Sequence, residues 1–188
     1  MSLNFKKFNI FILFLIVFSF FSVSLSAQET KITNFIVNKK ENKIFISFST
    51  ENAFSKSITN LIQSGTPVTF SFDIKVEKQR RFFPNKTIYK KEIIHKIKYS
   101  SLTKTFFIIK PYISEEPYVI NSKTRVKSEM TTITDFEVEL PLKSKGNHLV
   151  YARARLQEVI LPFYMHKVFF FLSAWDFKTD WANQNIEI

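Results

Sequence analysis

The stretch VTFSFDIKVE, residues 68–77, decides the fold class of this 188-residue chain. Apolar and polar side chains alternate strictly along it, so the apolar set lies on one face of a strand. The run 106–109 is apolar at every position, which predicts a central strand covered on both faces. Weaker alternation predicts further strands at 32–37, 43–50, 88–99 and 103–112.

Two short helices interrupt this β pattern. Asn52 can cap a helix over residues 53–64, and Gly65 can adopt the left-handed conformation that ends it. A second helix is predicted over residues 122–132, with Ser122 at its start. About seven strands with two or three short helices predict a mainly β fold, an antiparallel β-sandwich. The alternative is an α+β fold with the helices on one sheet face.

Charge and apolar alternation together predict a hairpin over residues 134–159. The two strands align when Glu137 lies opposite Arg153 and Asp135 opposite Arg155. Opposite charges then meet on one face while apolar residues meet on the other. We therefore expect these two strands to be neighbours in one sheet.

A second hairpin joins the strand at the centre of the pattern to the one that follows it. Glu77 is expected opposite Lys90, and Lys75 opposite Glu92, which leaves residues 80–86 as the loop. Exposed pairs of this kind contribute only about 0.2–1 kcal/mol each, so they select a register more than they stabilise the fold.

The amino-terminal segment has the order of a secretory signal. Lys6 and Lys7 precede an apolar run at 8–25, and small residues follow it. We predict that residues 1–27 are a signal peptide; the alternative is an uncleaved N-terminal anchor, through which 8–25 would contact the membrane. Residues 28–188 are then expected to form a single β-rich domain.

Composition excludes several classes of function. The chain has no cysteine, so a disulfide framework and a thiolate metal site are excluded. Its formal net charge of +11 has two interpretations: a Lys-rich composition of the kind that AT-rich codons supply, which is preferred, and attraction to an anionic envelope surface, which is the alternative. No nucleic-acid-binding motif is recognisable, and export would separate the protein from chromosomal DNA, so no nucleic-acid partner is expected.

The sequence offers no catalytic constellation. His95, His148 and His166 lack metal-ligand spacing, and no nucleophile motif is present. We expect His95 to be a hydrogen-bonded core or edge residue and His148 to be exposed at a hairpin mouth. A non-enzymatic protein without catalytic residues, metal or cofactor is the prediction. A hydrolase, which needs a cleft where carboxylates or histidines converge, is the less favoured alternative. The adjacent carboxylates Glu115 and Glu116 are expected to be solvated in a loop.

The strongest candidate surface is the basic, aromatic stretch at 78–91, where rings lie beside cations on a loop between two strands. An aromatic segment at 161–172 is also too apolar to stay bare, and the motif that follows it contains two tryptophans, which are added to the candidates although a buried structural role is the preferred interpretation for them. The candidate interaction residues are Arg80, Arg81, Phe82, Phe83, Lys86, Lys90, Lys91, Trp175 and Trp181.

The tail S-x-W-D-F-x-T-x-W at 173–181 resembles that of an exported bacterial family, domain of unknown function 4390. The strand after Gly65 and the R-R-F-F loop at 80–83 also fit that family. The resemblance implies a small secreted or periplasmic protein of Gram-negative bacteria and supplies no activity or site residues.

We therefore expect an exported interaction or accessory module in the periplasm or at the outer face of the inner membrane. Its partner is expected to be an envelope protein or an anionic or apolar envelope component. The alternative is a carrier that holds a lipid or another apolar ligand between Phe-rich layers.

Overall fold

The computed structural model describes residues 29–141, 145–157 and 177–188. Within these ranges two antiparallel sheets form a β-sandwich, with strand orders β1-β2-β7 and β6-β5-β4-β3-β8-β9, which confirms the predicted fold class. The elements are β1 (Lys31–Lys40), β2 (Lys43–Glu51), α1 (Lys56–Gln63), β3 (Val68–Lys78), β4 (Lys86–Ser100), β5 (Thr105–Lys110), β6 (Ser114–Ile120), α2 (Lys123–Thr131), β7 (Thr132–Glu139), β8 (Asn147–Leu156) and β9 (Ala182–Glu187).

Strand β3 lies at the centre of the core, as its alternation predicts. Its apolar residues are almost fully buried, and the Phe72 ring packs edge-on against Phe48 of β2 at 5.8 Å between centroids. Burying a side chain of this size stabilises the fold by about 1.5–3 kcal/mol. At one side of the sandwich the Val37 N–H of β1 donates to Gln184 Oε1 of β9 at 3.0 Å, which joins the two sheets.

Helix α1 begins later than predicted. Its N-cap is Ser55, whose Oγ accepts from the Ile58 N–H at 3.2 Å. Asn52 instead has a φ of +59° and donates its side-chain amide to the Glu29 carbonyl. Gly65 follows the helix with a φ of +87°, so the predicted left-handed position is confirmed.

Helix α2 begins as predicted, because Ser122 Oγ accepts from the Arg125 N–H. Strand β5 differs from its prediction: Phe106 and Ile108 are buried, whereas Phe107 and Ile109 on the other face are only partly buried. The strand is second from the edge of its sheet, so its apolar run does not mark a position covered on both faces.

The predicted hairpin at 134–159 is wrong, because its two strands belong to different sheets. Glu137 of β7 pairs its side chain with Lys43 of β2, and Arg153 of β8 bonds Asp73 of β3 at 2.6 Å. Two strands with the same alternation can bury their apolar faces either side by side or from facing sheets. Alternation alone does not distinguish these arrangements.

The second pair proposed for that hairpin is separated in the same way. Asp135 lies against Ser47 of β2, with its N–H donating to Ser47 Oγ at 2.9 Å. Arg155 reaches Glu92 of β4 at 2.7 Å. Arg155 therefore pairs with a carboxylate on a strand distant in sequence, whereas the Asp135 carboxylate accepts a hydrogen bond from the neutral Ser47 hydroxyl at 3.2 Å.

The β3–β4 hairpin is present, but its register is shifted by two residues from the prediction. Lys75 lies opposite Lys90, and Asp73 lies opposite Glu92. Like charges are tolerated here because Arg155 of the neighbouring strand β8 bonds both carboxylates. A third strand, rather than the hairpin itself, therefore balances the charge.

Strands β6 and β9 extend the sheet beyond what the sequence predicted. Pro117 lies within β6, which is an edge strand, where the missing N–H removes no bond to a neighbour. The exposed Glu115 and Glu116 belong to this strand rather than to a loop.

Candidate docking surface

The β3–β4 loop, residues 79–85, projects from a paired base. Lys78 lies opposite Lys86 at the ends of the two strands. The Gln79 N–H donates to the Asn147 carbonyl at 2.9 Å, which ties the start of the loop to β8. The strand ends therefore fix where the loop leaves the sheet.

Two adjacent phenylalanines at the tip of this loop lie in solvent. Phe82 is 81% exposed and Phe83 is 70% exposed. The guanidinium carbon of Arg81 lies 5.4 Å from the centroid of the Phe82 ring, within range of a cation–π contact. The two rings do not close the end of the sandwich, and together they form an apolar patch among cations.

The cations predicted for this surface fall into two groups. Arg80, Arg81 and Lys86 are exposed on or beside the loop. Lys90 and Lys91 lie further along β4, on opposite faces of the strand, and the Lys91 ammonium is 5.4 Å from the centroid of the Phe136 ring. The first group lies on or beside the loop that carries the exposed rings, and the second lies four and five residues beyond Lys86 along β4.

Two lysines that the sequence did not assign to the surface lie at the same end of the sandwich. Lys39 Nζ donates to the Glu187 carbonyl at 3.4 Å, and Glu187 lies opposite Asn147, which bonds Gln79 at the loop base. Lys40 is exposed next to Lys39. Only the packing of β1 beside β9 brings these residues together, so the sequence carried no signal for them.

The opposite end of the sandwich holds the first described residues. Strand β1 runs from Lys31 to Lys40, so its two ends are about 30 Å apart at roughly 3.3 Å per residue. Lys40 marks the end that carries the β3–β4 loop. The point where the predicted leader joins the domain is therefore distant from the exposed rings.

Trp181 does not belong to this surface. Its ring lies 4.3 Å from the Arg153 guanidinium carbon and 5.2 Å from Lys75 Nζ, beside Tyr151 on β8. Trp175 lies outside the described residues, as does His166. Of the two predicted tryptophans, the one that is described packs on the outer face of the six-stranded sheet.

The arginines of β8 are occupied by a network of ion pairs. Arg153 bonds Asp73 at 2.6 Å, and Arg155 bonds Asp73 at 3.3 Å and Glu92 at 2.7 Å. Gln157 donates to the same Glu92 carboxylate at 3.1 Å. These cations therefore stabilise the pairing of β3, β4 and β8, whereas the arginines of the loop face solvent.

His95 is buried and hydrogen-bonded, as predicted. Its Nδ1 lies 3.1 Å from the Met130 carbonyl and its Nε2 lies 3.3 Å from Tyr112 Oη. Burial, with a smaller effect of the nearby Lys110 ammonium, lowers the pKa of His95 to about 4. The imidazole is therefore neutral at pH 7.

The prediction that His148 is exposed is wrong. Its side chain is buried, its Nδ1 lies 2.8 Å from the Gly146 carbonyl, and burial lowers its pKa. The reason is that β8 lies between β3 and β9 rather than at a hairpin mouth. Among the described residues, no group of three or more His, Cys, Asp or Glu side chains is placed to hold a metal ion.

The apolar cavity that adjoins the two helices is small. It is lined by residues that include Phe54, Ile62, Phe106 and Val126, and its volume is about 30 Å³. That space admits one or two water molecules, far less than a lipid chain requires.

A larger recess lies beside the β3–β4 loop. Its volume is about 420 Å³, and its lining residues are Gln79, Arg80, Arg81, Asn85 and Asn147. The sequence identified the two arginines, but Asn147 reaches the recess from β8.

No helix among the described residues is long and apolar enough to cross a membrane.

A family model described as Domain of unknown function (DUF4390) matches residues 27–185. A comparison with curated proteins gave no match, and a comparison with solved structures gave none either.

Proposed function

The chain belongs to the DUF4390 family, and we propose that it is an exported, non-enzymatic module that docks on an anionic membrane surface of the Gram-negative envelope. The observation that carries this proposal is the pair Phe82 and Phe83, exposed by 81% and 70% and flanked by Arg80, Arg81 and Lys86. The charged, apolar and small-residue order of residues 1–27 supports export.

The composition of the β3–β4 loop fits the interfacial region of a bilayer. Each Lys or Arg near an anionic leaflet contributes about 1 kcal/mol of attraction. Each phenylalanine that leaves water for the acyl boundary contributes about 1.5–3 kcal/mol. Stable peripheral binding requires two such signals, and the loop presents both at one tip.

The shape of the loop favours a bilayer over a folded partner. Phe82 and Phe83 project from a convex tip, and a fluid surface can surround them without a preformed pocket. A protein partner would instead need a hydrophobic pocket within an acidic rim. We therefore propose the membrane, and treat an envelope protein as an outcome of the test.

A non-enzymatic role is proposed because residues 79–86 supply charge and apolar area but no hydroxyl, thiol, imidazole or carboxylate. The alternative role as a carrier of apolar ligands receives little support from the cavity adjoining Phe54 and Phe106, since it holds about 30 Å³. Docking, rather than transport or turnover, is the function that the site geometry supports best.

Co-sedimentation with vesicles tests the proposal. The purified protein is mixed with vesicles of phosphatidylethanolamine and phosphatidylglycerol, or of phosphatidylcholine alone. We expect binding to the anionic vesicles only. Replacing Arg80 and Arg81 with Ser removes two cations and should weaken binding about 30-fold. Replacing Phe82 and Phe83 with Ser should weaken it at least 100-fold, by about 3 kcal/mol or more.

Matched control variants test whether binding depends on the loop itself rather than on the total charge or the exposed apolar area of the protein. Lys96→Ser with Lys98→Ser removes two exposed cations from β4 outside the loop. Leu102→Ser with Ile113→Ser removes two exposed apolar side chains, which are 95% and 69% exposed. Both controls should bind like the unaltered protein. Equal losses in loop and control variants, or binding of an envelope protein in place of vesicles, would overturn membrane docking through the loop.

A further inference from the structure

The residues that line the recess beside the β3–β4 loop all have nitrogen-bearing side chains. Arg80 and Arg81 carry guanidinium groups, and Gln79, Asn85 and Asn147 carry amides, and together these residues line about 420 Å³. Guanidinium groups bind tetrahedral oxyanions through paired N–H donors, and amides can donate to the remaining oxygens. This set of donors matches a phosphate group better than it matches a carboxylate, which has only two oxygens.

The base of the recess is held by the sheet rather than by the loop. Gln79 is fixed through its N–H, which donates to the Asn147 carbonyl at 2.9 Å. The facing residues Lys78 and Lys86 close the strand ends next to it. The backbone at the base of the recess is therefore fixed before a ligand arrives, which lowers the conformational entropy that binding costs.

The carboxylate that contacts the lining residue Asn85 is paired with a lysine. Glu77 accepts from Asn85 Nδ2 at 3.5 Å and lies 2.9 Å from Lys75 Nζ. The hydrogen bond to Lys75 lowers the pKa of Glu77, so the carboxylate is ionised and paired. Glu187 lies opposite Asn147, but the two lining arginines, with Lys78 and Lys86 beside them and Lys39 against Glu187, leave an excess of positive charge that favours an anion.

We propose that this recess binds the phosphate group of a phospholipid headgroup while Phe82 and Phe83 enter the layer below it. The proposal rests on the membrane docking proposed above and adds one property to it. Docking selects phosphate chemistry rather than negative charge in general. Arg80 and Arg81 therefore have two roles, attraction to the surface and direct bonds to the headgroup.

Vesicles of equal surface charge test this selectivity. One set carries phosphatidic acid, whose phosphate is terminal, and the other carries cholesteryl hemisuccinate, whose charge is a carboxylate; both are matched by zeta potential. We expect the mature protein, residues 28–188, to bind the phosphatidic acid vesicles about tenfold more tightly, the effect of one additional charge-assisted hydrogen bond or more. Inorganic phosphate, compared with chloride at equal ionic strength, should remove this preference.

Variants that keep every charge and both rings assign the preference to the recess. Gln79→Ala with Asn85→Ala should abolish the preference for phosphatidic acid and leave binding to the hemisuccinate vesicles unchanged. Asn183→Ala, an exposed amide on β9, is the matched control and should bind like the unaltered protein.

The outcomes separate the two proposals. Equal binding to both vesicle types, unaffected by Gln79→Ala with Asn85→Ala, would overturn the phosphate site and leave charge-driven docking in place. Failure to bind either vesicle type would overturn both. A preference that survives excess inorganic phosphate would also contradict the site, because free phosphate must compete for the same donors.

Discussion

Acidification should lower the free energy of unfolding of this protein through His95, and the loss should begin well above the pH at which the carboxylates of the protein become protonated. The imidazole is buried with Tyr112 Oη on one nitrogen and the Met130 carbonyl on the other. The charged groups nearby are Lys110 and Glu129, which have opposite effects on it. Burial is the largest effect, and it lowers the pKa of His95 from 6.5 to about 4.

The sign follows from where the proton binds. Well above pH 6.5 both the folded and the unfolded chain carry neutral His95, so the full stability is present. Below that pH, His95 binds a proton in the unfolded chain, whereas in the folded chain it is not protonated until about pH 4. The free energy of unfolding therefore falls by about 2 kcal/mol between pH 7 and pH 5, and by about 3 kcal/mol at pH 4.

Urea unfolding followed by circular dichroism across pH 5–8 measures this loss. The control is His95→Gln, which keeps a hydrogen-bonding side chain but cannot titrate. His148 also has a lowered pKa, but it titrates in both proteins and cancels in their difference. Holding the range above pH 5 keeps the paired carboxylates Glu77 and Glu129, whose pKa values are lowered, ionised throughout. Parallel stability curves for the two proteins would refute the reasoning.

Three further variants test the packing, each by urea unfolding. Glu129→Gln should destabilise the fold by about 3 kcal/mol, because it leaves the Lys110 ammonium without its counter-ion. That ammonium lies 2.7 Å from the Glu129 carboxylate on a side chain only 7% exposed. Adding Lys110→Met should restore most of the lost stability, and no restoration would contradict the buried-charge explanation. Gly65→Ala should lower the free energy of unfolding by about 1–2 kcal/mol, since the φ of +87° at this position is strained for any side chain. An unchanged urea midpoint would show that the turn relaxes instead. Phe72→Ala should lose about 3–5 kcal/mol, whereas Leu102→Ala, at a position 95% exposed, should change stability by less than about 0.5 kcal/mol; similar losses would contradict the assigned core.

The candidate surface was visible in the sequence only in part. The run from Arg80 to Phe83 stands out because cations and rings adjoin within one predicted loop. Lys39 and Asn147 reach the same end of the sandwich through strand packing, and their neighbours in sequence give no indication of it. Local composition therefore identified the tip of the surface, but not the recess at its base.

Local structure followed from the sequence wherever its cause is local. The alternation at 68–77 produced β3, Ser122 capped α2, and Gly65 took the left-handed position that ends a helix. Each of these depends on the conformational preference of a residue or on the two-residue period of a strand, and neither requires a distant partner. The family also followed from a contiguous motif, the tail at 173–181.

Pairing between strands was decided by the tertiary structure alone. Glu137 can form an ion pair with Lys43 as well as with Arg153, and in the structure it pairs with Lys43. Arg153 likewise can pair with either Glu137 or Asp73, and it pairs with Asp73. Charge complementarity and period-two alternation are the same for many pairs of strands, so they cannot choose between neighbours in one sheet and facing layers of a sandwich. The choice was made by which arrangement buries all the apolar faces at once, a property of the whole assembly of strands.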